Sequence, residues 1–148
     1  MLRTILLSAV LVAAIAPAEA QQPPPNPLAT VKTFNCTFTR YAVARWDGDA
    51  PPIITGEDQF TLGITGLDTR RNRATIIGTT ASVPASAVLT PLGLNVIEQT
   101  PGGNFILTTV FTAERSADIY YAVHARHLGD MAAPPSASQY YGTCEVVR

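Results

Sequence analysis

The amino-acid sequence predicts an all-β fold: a single antiparallel domain of about eight strands, with a disulfide tying the first strand to the last. Three observations predict it. Apolar and polar residues alternate with a period of two in short runs. Gly, Pro, Asn and Asp punctuate those runs at close intervals. The chain's two cysteines, Cys36 and Cys144, fall in the first and the last run. No window of about eleven residues beyond residue 20 keeps a 3.6-residue period with caps, so little helix is expected.

The chain opens with Met1-Leu-Arg3, a short basic start, followed by the apolar run Ile5 to Ala16 and then Pro17-Ala-Glu-Ala20. A basic start, an apolar centre and a small-x-small ending predict a signal peptide, residues 1–20, cleaved after Ala20. The apolar run falls short of the roughly 20 residues that a membrane span needs. No cysteine follows it to carry a lipid, and no later segment is apolar for long enough to span. The mature chain is therefore expected to be exported, periplasmic or secreted, and not membrane-spanning. Residues 21–148 remain, the size of one domain.

Residues 21–30 contain QQPPPNP and predict a Pro-rich spacer, because proline removes backbone donors and favours extended chain. The β-domain then occupies residues 31–148. From Val31 to Trp46, Phe34, Cys36, Phe38, Ala42, Ala44 and Trp46 fall on one face, with Thr33, Asn35, Thr37 and Thr39 on the other. Tyr41 and Val43 fall among the latter. Arg40 interrupts the apolar face: either it snorkels at a strand bend, the favoured reading, or it sits inside and needs a carboxylate partner. Asp47 to Pro52 is a dense turn signal.

The second strand runs from Ile53 to Thr65, with Phe60, Leu62 and Ile64 on its apolar face, and Gly66 to Arg73 turns the chain. Ala74 to Thr80 is a third strand. Pro84 and Pro91 restrict the next segment to a short, edge-like strand over Ala87 to Thr90. Leu92 to Thr100 and Phe105 to Thr112 flank the hairpin signal Pro101-Gly-Gly-Asn104, and Phe105, Leu107 and Phe111 share a face. Ile119 to His127 and Gln139 to Val147 complete the set, joined by a loop over Leu128 to Ser138.

A cystine holds its Cα atoms roughly 4.4–6.8 Å apart, so the first and last strands must be neighbours or face each other across the core. With an even number of up-and-down strands, pairing the first with the last closes a barrel and removes exposed edges. A small closed barrel is accordingly favoured over a two-sheet sandwich bridged by the same disulfide. In an oxidising compartment such a bridge forms readily, and closing a loop of about 100 residues stabilises by about 4.7 kcal/mol in the chain-entropy model.

Composition bounds function mainly by exclusion. The net charge is −1 and the pI near 6.1, which leaves no electrostatic footprint for nucleic acid. No Walker-type loop, dinucleotide glycine motif, zinc-protease helix or nucleophile elbow occurs.

Chemically capable side chains concentrate in His124, Arg126, His127 and Asp130. If the strand persists through His127, a period of two puts His124 and Arg126 on one face and His127 on the other, and the two histidines cannot chelate one metal unless the strand ends between them. No metal site and no cofactor is expected. His124 could work as an acid or base with Glu98 or Asp130, and Arg126 as an anion anchor, but no nucleophile motif supports assigning a catalytic residue. Each of the pairs Tyr120-Tyr121 and Tyr140-Tyr141 places one ring inward and one outward, and an outward Tyr141 suits an interface. Arg70, Arg71 and Arg73 form a basic turn beside Asp68.

The first functional expectation is a non-enzymatic exported domain that binds a protein or cell-envelope component. Its surface would centre on the last two strands, with His124, Arg126, His127, Tyr141 and Glu98 as binding residues. The second is a barrel that holds a small apolar ligand. The third is a small barrel enzyme using His124 as acid/base.

Overall fold

Cys36 and Cys144 are register partners on neighbouring antiparallel strands and are joined as a disulfide. A computed structural model describes residues 25–46, 52–129 and 134–148. The signal peptide expected over 1–20, the start of the Pro-rich segment, most of the Asp47–Pro52 turn, and Asp130 lie outside the described residues.

Eight strands follow one another in the described chain: β1 Phe34–Arg45, β2 Ile53–Asp68, β3 Arg73–Ile77, β4 Ser82–Thr90, β5 Gly93–Gln99, β6 Phe105–Ser116, β7 Ile119–Leu128 and β8 Ser136–Val146. Each pairs antiparallel with the next, and β1 also pairs with β8, so the sheet closes into a barrel. The inward faces meet in one core. Phe34, Phe38, Ile64, Leu94, Val96 and Val110 are completely buried in it, each contributing about 1.5–3 kcal/mol of transfer free energy. The buried cystine belongs to the same cluster.

The Pro-rich segment departs from a plain spacer at its end. Pro27–Thr30 form a turn of 3-10 helix with Asn26 as cap, whose side chain accepts from the Leu28 N–H at 2.8 Å and donates to the Thr90 carbonyl at 2.7 Å. Leu28 is wholly buried. It adds an apolar side chain to the core at the end of the barrel where β4 finishes, a role that proline content alone could not reveal.

Arg40 marks a bend, as expected. The register shifts between Phe38 and Arg40 against both β2 and β8, and Arg40 points outward to Glu57 at 2.9 Å. One consequence reverses the expected faces. Past this bulge Tyr41 turns inward, its ring 6.0 Å from that of Tyr140. Ala42 and Ala44, expected on the core face, instead line an outer groove with Ile53, His127 and Gln139, because one extra residue inverts the alternation.

Two further expectations are corrected. β4 is a full strand rather than a short edge: Ser82–Ile77 to Ala85–Ala74 pair it with β3, and Ser86 to Thr90 pair it with β5. Pro84 sits in the half that has only one partner, where a missing donor is tolerated. On β6, Phe105 and Phe111 are partly exposed, and Thr108 and Val110 occupy the core. Both faces of that strand are apolar, so alternation could not choose between them.

The rim of the barrel is uneven. β2 pairs with β1 from Ile53 onward, yet β3 joins β2 only at Gly63. The short β3–β4 hairpin therefore leaves a notch beside the upper half of β2.

Candidate functional site

The notch opens into a cavity of about 430 Å³. Its walls carry Phe60 and Leu62 from β2, Ile76 from β3, Val83 from β4, Glu98 from β5, Ile106 from β6, and His124 and Arg126 from β7. The period-two reading of β7 holds here: His124 and Arg126 line the interior. His127 is exposed on the outer face, its ring 6.2 Å from that of Phe105.

His124 is only 3% exposed. Its Nδ1 lies 2.8 Å from Thr108 Oγ1, and its Nε2 lies 2.9 Å from Arg126 Nε. Arginine can only donate, so Nε2 must accept. The neutral ring then carries its proton on Nδ1, which donates to the Thr108 hydroxyl. Burial first, and the neighbouring Arg126 charge second, pull the imidazole down from its ordinary value to about 4. At neutral pH His124 is an uncharged positioning group with both nitrogens engaged. That arrangement suits holding Arg126 in place better than moving protons.

Arg126 is half-buried. Its guanidinium carbon lies 4.9 Å from the centroid of Phe60 and 4.9 Å from that of Tyr140, and these two rings meet edge to face. Phe38 stacks on Phe60 from below. The aromatic faces stabilise the cation by roughly 0.5–2 kcal/mol each, and they fix the plane of the guanidinium. Glu98 lines the same cavity, yet Glu98 and Arg126 form no ion pair. In the barrel they are register neighbours of the same residue, Ile106, on either side of β6, which separates their backbones by about two strand spacings, roughly 9–10 Å.

Of the five residues expected to bind, the structure thus brings together His124, Arg126 and Glu98. It leaves His127 and Tyr141 outside, where the Tyr141 hydroxyl donates to Gln139 Oε1 at 2.7 Å. Thr108, Phe60 and Tyr140 complete the site. Phe60 and one tyrosine of the 140–141 pair were legible as inward residues. Their meeting around Arg126 depends on register between β2, β7 and β8, which has no local signal.

Among the described residues, no group of three His, Cys, Asp or Glu side chains is placed to hold a metal ion. No helix of the described chain is long and apolar enough to cross a membrane. The basic turn is partly neutralised, with Arg71 3.0 Å and Arg73 3.9 Å from the Asp68 carboxylate. The Arg71 hydrogen bond holds that carboxyl below its ordinary range. No protein-family model, no curated protein and no solved structure matches the chain.

Proposed function

We propose that this protein binds a small, largely apolar molecule in the open end of its barrel. The observation that carries the reading is the cavity of about 430 Å³, walled by Phe60, Leu62, Ile76, Val83 and Ile106 and bearing a few convergent polar groups. Ligand pockets typically measure about 300–1,000 Å³ and have this mixture of apolar wall and sparse polar anchors. In the same reading the chain is exported, to the periplasm or beyond. The N-terminal pattern of residues 1–20 and the disulfide support that location.

A neutral naphthylamine dye, dark in water and bright in apolar surroundings, tests the reading. The oxidised protein, residues 21–148, should take it up saturably. Val83→Trp, which fills the cavity from β4, should abolish uptake while leaving the circular dichroism spectrum intact. Absence of saturable uptake by the wild-type protein, or equal uptake by a folded Val83→Trp variant, would remove the proposal.

A second reading keeps a protein or cell-envelope component as partner, bound on the outer face. Trp46 is 50% and Ile53 74% exposed, and they flank two adjoining outer grooves that share Ala44, Ala137 and His127. Apolar side chains so exposed beside a groove favour contact with a partner. Under this reading, Trp46→Ser with Ile53→Ser should abolish co-purification of a partner from the native envelope without altering dye uptake. Unchanged co-purification would exclude it.

A further inference from the structure

We infer that the ligand carries an anionic head, a carboxylate on a single apolar chain, and that Arg126 is its anchor. This rests on the reading of the cavity as a ligand site.

Arg126 carries a charge that no carboxylate among the described residues pairs. Arginine stays protonated at any working pH, and Arg126 is half-buried among Phe60, Tyr140 and a neutral imidazole. Among the described residues Arg40 pairs with Glu57, Arg71 and Arg73 with Asp68, and Arg148 with Asp118, while Arg45, Arg70 and Arg115 have no such pair but are exposed to water. Arg126 has no carboxylate within ion-pairing distance among the described residues. Its Nε is committed to His124, and its two terminal nitrogens donate no hydrogen bond to a described residue. A planar fork of N–H donors is therefore left facing the cavity that Arg126 lines.

Charge taken partly out of water is costly unless paired, and a guanidinium pairs best with a planar oxyanion that meets two of its N–H groups at once. The rings of Phe60 and Tyr140 and the bond to His124 hold the fork before any ligand arrives, so little rotamer freedom is lost on binding. Next to this cation the wall turns apolar through Leu62, Ile76 and Val83. Head and tail are thus specified by neighbouring surfaces of one cavity. Its volume suits one short chain rather than a two-chain lipid. Glu98 stands two strand spacings from Arg126, on the far side of β6, so a head group on the arginine need not touch it.

The test displaces the bound dye from the oxidised wild-type protein with decanoate, decanol and decylamine at neutral pH. These share a tail and differ in the head. Decanoate should bind roughly tenfold more tightly than decanol, the size of one charge-assisted hydrogen-bonded contact, and this advantage should shrink at high salt. Arg126→Gln should bind decanol as before and lose the preference for decanoate, while Arg126→Lys should keep part of it. Equal binding of decanoate and decanol would overturn the anionic head and leave the apolar site standing. A preference for decylamine would do the same and move the anchor to Glu98. A decanoate preference that survives in a folded Arg126→Gln variant would show that Arg126 is not the anchor. If Arg126→Gln does not fold, the wild-type head-group ranking and its salt dependence decide the matter. Failure of the dye and all three ten-carbon compounds to bind would remove the ligand site itself.

Discussion

Arg126 and His124, two positions apart on β7, are joined by a 2.9 Å hydrogen bond from the arginine Nε–H to the imidazole Nε2. The bond couples a permanent cation to a group that must stay neutral to accept it. Protonating His124 would turn this acceptor into a donor facing the guanidinium, deep in a ring of Phe38, Phe60 and Tyr140. The cluster is therefore built for one protonation state.

Stability should consequently depend on pH in a defined direction. The folded imidazole titrates near 4 and an unfolded one near 6.5, so between these values the unfolded chain binds the extra proton. The contribution is complete above about pH 6.5 and is lost as the pH falls towards 4. By linkage the loss amounts to about 3 kcal/mol by pH 4. Urea unfolding of wild-type and His124→Gln protein at pH 7 and pH 4 measures it. The wild type should lose about 3 kcal/mol more than the variant. Parallel losses in the two proteins would contradict the neutral assignment.

Thr108 provides the acceptor for the Nδ1 proton inside the core, where it is completely buried. Thr108→Val keeps the shape and removes the acceptor, leaving a buried N–H unpaired. The expected cost is about 1–3 kcal/mol, visible in the urea midpoint. Thr109→Val, whose hydroxyl donates to Asn95 Oδ1 in a part-buried setting, should cost less. The reverse order would mean that the Thr108 bond carries no structural weight.

Much of the fold was legible because its signals are local. Alternation located Phe34, Cys36 and Phe38 on the core face of β1, and turn residues separated the strands. The two cysteines required β1 and β8 to be close. What escaped was anything set by two strands together. The bulge at Arg40 turned Tyr41 inward, and only its register against β8 reveals this. Phe105 and Phe111 looked like core residues because they are large. The interior of β6 instead takes Thr108, whose hydroxyl serves a histidine sixteen positions away. Of the site, the shared face of His124 and Arg126 was legible from spacing. The aromatic pair around Arg126 was not, since Phe60 and Tyr140 lie 80 positions apart on β2 and β8.

The bulge itself makes a prediction at Gly142. A Cβ added there would collide with the Thr37 carbonyl oxygen and lie 2.6 Å from Phe38 Cα, both backbone atoms that cannot swing aside. Gly142→Ala should destabilise by at least about 1–3 kcal/mol, the usual cost of overpacking. A Cβ at Gly129 would meet nothing within 4 Å, so Gly129→Ala should stay within about 0.5 kcal/mol of wild type. Thermal or urea unfolding of the two variants compares them. Equal stability would show that β1 can move away from β8 at the bulge.

Closure of the barrel by the cystine gives the largest expected effect. Cys36 and Cys144 are 108 positions apart, so the bond confines nearly the whole domain in its unfolded state. Replacing both residues with Ala also removes two completely or almost completely buried side chains, but alanine leaves the β1–β8 ladder free to form. The double variant should lose about 2–5 kcal/mol of stability while retaining its strand signal in circular dichroism. Because the bond acts mainly on the unfolded chain, the folding rate should fall with little change in the unfolding rate, provided that β1 and β8 are already paired in the transition state. Stopped-flow refolding and unfolding in urea separate the two limbs. A variant whose unfolding rate rises by the full equilibrium loss would show instead that β1 and β8 join last, and that the cystine locks a barrel already formed elsewhere.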